Sequence, residues 1–162
     1  MRVLGIDPGY GIVGFGIIDS KIEIDVIDYG VISTPKELSL PERLEIIYSS
    51  LCSLIKSYKP DVVAVEELFY FRNQTTIIPV AEARGVILLA CKKNQVQIFE
   101  YTPLQIKQAL TGNGRAEKSQ IQFMVKTILG IDKIPKPDDA ADALAVAICH
   151  SQINPMLNVN KI

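Results

Sequence analysis

The stretch DVVAVEEL at residues 61–68 constrains the fold of this chain more than any other. It is a continuous apolar run broken only by two adjacent acids. Such a run reads as a strand buried on both faces, the kind that lies inside a helix-covered sheet. The segments around it fit that setting. Residues 2–6 form a short apolar strand ending at Asp7, residues 8–11 (PGYG) a turn, and residues 12–19 a second strand carrying Gly14 and Gly16. Residues 22–33 alternate as a third, and the short connections make the three an antiparallel meander.

Ser39 and Glu42 make a capping box. Behind it Leu40, Leu44, Ile47, Leu51, Leu54, Ile55 and Tyr58 recur at helical spacing up to Pro60. After the 61–68 strand, residues 69–73 read as a loop, 76–93 as a helix and 96–100 as a strand. Three more helices follow at 103–110, 117–129 and 138–150, the last alanine-rich and preceded by a stiff linker with Pro135 and Pro137. This order predicts an α/β fold: one mixed sheet with helices on its faces. A single domain is expected over residues 1–152, with a flexible tail over 153–162 after Asn154-Pro155.

Composition removes several functional classes. At 162 residues, 48% hydrophobic and 22% charged, the chain suits one globular domain and excludes wholesale disorder. No apolar run approaches the ~18–20 residues of a membrane span, and Asp7 arrives too early for a signal peptide. Cys52, Cys91 and Cys149 are odd in number and far apart, as expected of reduced thiols in a cytoplasmic protein. A net charge of −1 excludes a uniformly basic nucleic-acid binder. Yet residues 84–126 hold seven bases (Arg84, Lys92, Lys93, Lys107, Arg115, Lys118, Lys126) against two acids, so the near-neutral total can hide a basic face.

The acids carry the chemistry. Asp7 ends an apolar strand, Glu66 and Glu67 interrupt another, and Asp139 and Asp142 lie three apart on one face of an apolar helix. Carboxylates rarely sit in such surroundings unless paired or bound to a cation. No base adjoins them in sequence. A divalent ion relieves the repulsion of clustered carboxylates, and an all-oxygen set without His or Cys favours Mg²⁺ or Mn²⁺. The segment Gly5-Ile6-Asp7-Pro8-Gly9-x-x-x-x-Gly14 carries an acid to a strand end, and its glycines would let backbone N–H groups approach a phosphate. Lys118 stands in the first turn of a helix, where a cation opposes the helix dipole, and a phosphate there would account for it. His150 reads as a surface cation at a helix C-terminus. Arg84 could equally contact DNA or hold its helix in place.

Five blocks in order and at matching spacing resemble the RuvC family, bacterial Holliday-junction endonucleases of the ribonuclease H-like superfamily. They are GIDPGYGIVGFG at the start, AVEELF at 64–69, ARGV at 83–86, YTPLQIKQALTGNGRAEKSQ at 101–120 and DAADALAVAICH at 139–150. The resemblance implies a five-stranded ribonuclease H-like sheet, the meander followed by two parallel strands. It implies paired symmetric nicking of four-way DNA junctions, in recombination and repair, through two Mg²⁺ ions with Mn²⁺ as substitute. Asp7, Glu66, Asp139 and Asp142 would be the catalytic metal ligands, the Asp-Ala-Ala-Asp spacing favouring Asp139 over its neighbour Asp138. Phe69 would stack on junction bases, with Arg72, Lys107, Arg115 and Lys118 contacting DNA. Tyr70 and Phe71 read equally well as stacking or covering rings. A branch-migration motor of the RuvA and RuvB type would be the partner. Other readings stay open: a ribonuclease H-like nuclease acting on RNA, or a non-catalytic junction-binding module. An actin-like ATPase needs two such domains, more than this length provides.

Residues 86–91 are apolar all round, so the 76–93 helix needs burial on more than one side. A two-fold contact between two copies, through Val86, Leu88 and Leu89, would supply it.

Overall fold

The computed structural model describes residues 1–68, 77–153 and 160–162. The expectations at Phe69, Tyr70, Phe71 and Arg72 therefore lie outside the described residues. Three strands come first: β1 (Arg2–Asp7), β2 (Ile12–Ser20) and β3 (Ile24–Ser33). Then α1 (Leu40–Tyr58), β4 (Val62–Glu66), α2 (Ile77–Lys93) and β5 (Gln97–Tyr101) alternate, and α3 (Pro103–Thr111), α4 (Lys118–Ile128) and α5 (Asp138–Gln152) follow. The strands form one sheet in the order β3-β2-β1-β4-β5. The β1–β2 and β2–β3 pairs are antiparallel, and the β1–β4 and β4–β5 pairs are parallel. This is the mixed α/β sheet expected.

Local chemistry sets the boundaries. Glu42 accepts a hydrogen bond from the Ser39 amide at 2.8 Å, capping α1. Lys59 takes a left-handed conformation at its end, φ 48°. β3 starts two residues later than the alternation suggests, because residues 21–23 close the hairpin through a Lys21 N–H to Glu23 carbonyl bond of 3.2 Å. Pro103 follows the Thr102 cap of α3, a first-turn position where its missing N–H costs nothing.

The sheet is covered on both faces. Leu4, Ile6, Val63 and Val65 pack against α1 and α2 with Ile47, Leu51, Ile87 and Ala90. On the other face Val3, Val62 and Ala64 meet α5, which α3 and α4 cover in turn through Ile106, Leu110, Ile121 and Val125. Helix α5 is thus sandwiched, and every residue from Ala143 to His150 is buried. That explains its lack of a polar stripe.

Four expectations need correction or refinement. His150 is buried, not a surface group. Its Nδ1 lies 2.7 Å from the Tyr101 hydroxyl, its ring packs at 4.6 Å from Phe99, and its Nε2 has no partner among the described residues. Nothing in a single histidine at the end of an apolar helix signals this; the sandwiching of α5 decides it. Arg84 holds its helix to β5, its guanidinium bound by Glu100 with Nε 2.9 Å from Oε1. Residues 160–162 do not hang free: the Glu100 N–H donates to the Asn160 carbonyl at 2.8 Å, and the Ile162 N–H to the Ile98 carbonyl at 3.1 Å. The unpaired polar groups of edge strand β5 make that contact favourable. Lastly, the chain itself supplies much of the burial that α2 needs. Ile87, Ala90 and Cys91 are buried within the chain, Val86 and Leu88 are partly covered, and Leu89 projects with 51% of its surface exposed.

Candidate active site

Side chains alternate across a strand, so Asp7 shares the α5-facing side of β1 with Val3 and Gly5. Glu66 shares that side of β4 with Val62 and Ala64. The strands are parallel neighbours, in register at Ile6 and Val65, so both acids leave the sheet at the same end. Asp139 and Asp142 come from the first two turns of α5, which crosses that end.

Glycine makes the crossing possible. Gly14 is the cross-strand partner of Asp7, and Gly5 pairs with Gly16. A Cβ on Gly14 would lie 2.0 Å from the Asp139 carbonyl oxygen, and one on Gly5 would lie 2.1 Å from that of Ala143. These glycines therefore seat the backbone of α5 on the sheet. The space left by the missing Cβ is used within the chain: α5 fills it at Gly5 and Gly14, and the Ile12 carbonyl fills it at Gly9 in the turn. Small residues at alternating strand positions, together with the alanines of the last helix, were the signal for this packing.

Asp7 lies within the electrostatic reach of the other three acids. Burial, then the charges of Glu66, Asp142 and Asp139, push the Asp7 carboxyl well above its usual range. Burial and then Asp142 push Glu66 up to about 7, against the opposing pull of Lys118, Asp7 and Lys107. Burial also raises Asp142, outweighing Lys118. Lys118 sits in a half-exposed position at the start of α4. Its Nζ lies 2.9 Å from Asp142 Oδ2 and 3.7 Å from Asp138 Oδ2. Burial pulls its ammonium down, but the hydrogen bond and charge of Asp142, with Asp138 and Asp7, outweigh this and hold it above its usual value. Asp138 is bound by Lys136 at 2.7 Å, so it stands outside the cluster as a surface ion pair.

A cleft of about 190 Å³ opens here, lined by Glu66, Lys107, Lys118 and Asp142 over apolar walls from Pro103, Ile106, Ile121 and Ala145. Lys107 thus comes to the acids from α3. Arg115 lies in the exposed loop before α4, its N–H donating to Asn113 Oδ1 at 3.0 Å. Among the described residues, no three His, Cys, Asp or Glu side chains converge into a ready-made metal cage. The donor set nonetheless fits a hard divalent cation: only carboxylate oxygens, partly desolvated and mutually repelling.

The family model described as "Crossover junction endodeoxyribonuclease RuvC" matches residues 3–150. A protein of that name from Caldicellulosiruptor saccharolyticus is 60% identical over 152 residues, covering 93% of this chain and 92% of its own length. The solved structure of Thermus thermophilus RuvC superposes with a TM-score of 0.92 at 33% identity, covering 100% of both chains. T. thermophilus RuvC in complex with Holliday junction substrate gives a TM-score of 0.94 at 34% identity, covering 100% of this chain and 99% of that one. An acid cluster on a ribonuclease H-like sheet, beside two lysines and matched along nearly the whole chain, leaves one assignment: the chain belongs to the RuvC family of crossover junction endodeoxyribonucleases.

Proposed function

We propose that the chain resolves four-way DNA junctions by hydrolysing phosphodiester bonds, with Asp7, Glu66, Asp139 and Asp142 as ligands for two Mg²⁺ ions. One observation carries this reading. Asp7 on β1 feels the charges of Glu66 on β4 and of Asp139 and Asp142 on α5, and lysines from α3 and α4 line the cleft that Glu66 and Asp142 share. Divalent ions bound there supply an acidified water and charge stabilisation at the scissile phosphate. The chain's own residues do the rest. Lys107 and Lys118 meet the phosphate oxygens, Arg115 and Arg72 extend the basic contact along the backbone, and Phe69 stacks on an unpaired base. Such stacking is worth roughly 1–3 kcal/mol per base. The products carry 5′-phosphate and 3′-hydroxyl ends.

The acting unit is a homodimer joined through α2. The exposed Leu89 and Ile78 support this, since they give that helix an apolar outer side. A two-fold pair suits a junction with two equivalent strands. A motor of the RuvA and RuvB type and a cytoplasmic setting complete the proposal.

The test is nicking of a synthetic four-way junction by purified protein with Mg²⁺, beside a linear duplex and an RNA–DNA hybrid. Paired nicks in the junction alone, abolished by chelator, are expected. Cleavage in chelator would overturn the metal mechanism, preference for the hybrid would favour an RNA-directed nuclease, and binding without nicking in any divalent ion would favour a non-catalytic module.

A further inference from the structure

Lys118 is in an unfavourable place for α4. It occupies the first helical position, where the helix dipole repels a cation. Its compensation lies on α5, in the 2.9 Å hydrogen bond to Asp142. Asp138 contributes less, since it is farther away and already paired with Lys136. Lys107 lines the same cleft but makes no ion pair among the described residues. The two lysines therefore differ: one only faces the acids, the other holds one of them.

The geometry points to Lys118 as a resident cation standing in for the metal: its ammonium holds Asp142 in the metal-free chain, and a divalent ion must displace it before Asp142 can ligate. This rests on the metal-site reading above and adds a step to it. An ammonium is a point charge on a flexible stem, so the acid cluster stays partly neutralised without being closed into a cage. Displacement leaves the ammonium at the cleft mouth, without its acid, where the phosphate of a strand arrives. Metal loading and lysine release are then one event, and by linkage each favours the other. A cleft loaded with metal thus becomes more attractive to DNA, and an unloaded one keeps its lysine occupied.

The experiment is calorimetric titration of the DNA-free full chain with Mn²⁺, for wild type, Lys118→Met and Lys107→Met. Losing a competing, partly exposed ion pair should tighten Mn²⁺ binding by roughly three- to fivefold in Lys118→Met. Lys107→Met removes the same charge without an ion pair and should gain no more than about twofold, since solvent screens it. Equal gains in the two variants would reduce the effect to a general field and overturn the displacement. No gain in Lys118→Met would mean that lysine and metal coexist, and would overturn it as well. Absence of Mn²⁺ binding in wild type would instead defeat the metal-site reading itself. A measurement on wild type alone guards against a variant that misfolds. Amine acylation read by mass spectrometry should label Lys118 several-fold faster with Mn²⁺ than without, while Lys136 is unchanged. Unchanged labelling of Lys118 at saturating Mn²⁺ would overturn the proposal.

Discussion

Two neighbouring acids, Glu66 and Glu67, show how finely the site is set by single positions. Glu66 ends β4 on the side facing α5, whereas Glu67 follows the strand with its N–H donating to the Tyr101 carbonyl at 2.8 Å. Glu66→Gln should lower cleavage by several orders of magnitude while leaving junction binding within a few-fold. Glu67→Gln should retain most activity. Nicking rates and band-shift affinities for the two variants check this, and equal losses would remove Glu66 from the ligand set. His150 offers a second residue-scale prediction. Burial holds its imidazole at about 4, below the usual histidine value. The unfolded chain therefore takes up a proton on this group before the folded one does, and folding is favoured above the unfolded value. That stability is lost as pH falls from about 6.5 to about 4, by up to about 3 kcal/mol. Denaturant melts across that range should show the slope, and His150→Phe should flatten it. The four carboxylates of the proposed site stand out in sequence because an acid inside an apolar run is costly unless a cation or partner meets it. The burial of His150 does not, because the sandwiching of α5 between the sheet and α3 and α4 decides it, and its partner Tyr101 lies far away in sequence on β5.

At the scale of elements, the strands, helices and their order were readable from periodicity, caps and turn residues, with ends shifting by one or two residues. What the pattern could not give was the use of the glycines. Both a phosphate loop and a helix seat need a missing Cβ, and only the crossing of α5 over β1 and β2 separates them. That difference has a measurable consequence. Gly14→Ala would place a methyl against the Asp139 backbone, which cannot rotate away, so α5 must shift. Destabilisation of about 1–3 kcal/mol is expected, of the size found for overpacked cores. Cleavage should fall more steeply than stability because Asp139 and Asp142 move with the helix. Gly16→Ala first meets the Leu144 side chain at 2.7 Å, which can adjust, and the Leu144 backbone nitrogen only at 2.9 Å, so it should cost less. Thermal melts alongside nicking rates distinguish the two. If Gly14→Ala proves as mild as Gly16→Ala, the helix is not seated as described.

For the molecule as a whole, α2 gives the sharpest test of assembly. Leu89→Glu puts a charge on the exposed side of α2 and leaves the buried Ile87 and Ala90 in place. A folded protein that sediments as a monomer and has lost paired nicking is the expected result. A wild type that is monomeric at micromolar concentration, with and without junction DNA, would end the dimer reading. The division of the acid cluster between β1, β4 and α5 also has a consequence during synthesis. A chain emerging from the ribosome acquires Asp7 and Glu66 early. It then waits for roughly seventy more residues before Asp139 exists, about 4–15 s at ordinary translation rates. Throughout that interval, and in any product abandoned within it, two of the four carboxylates are missing. A protein that cuts DNA is thereby unarmed until its last helix has been made and laid across the sheet.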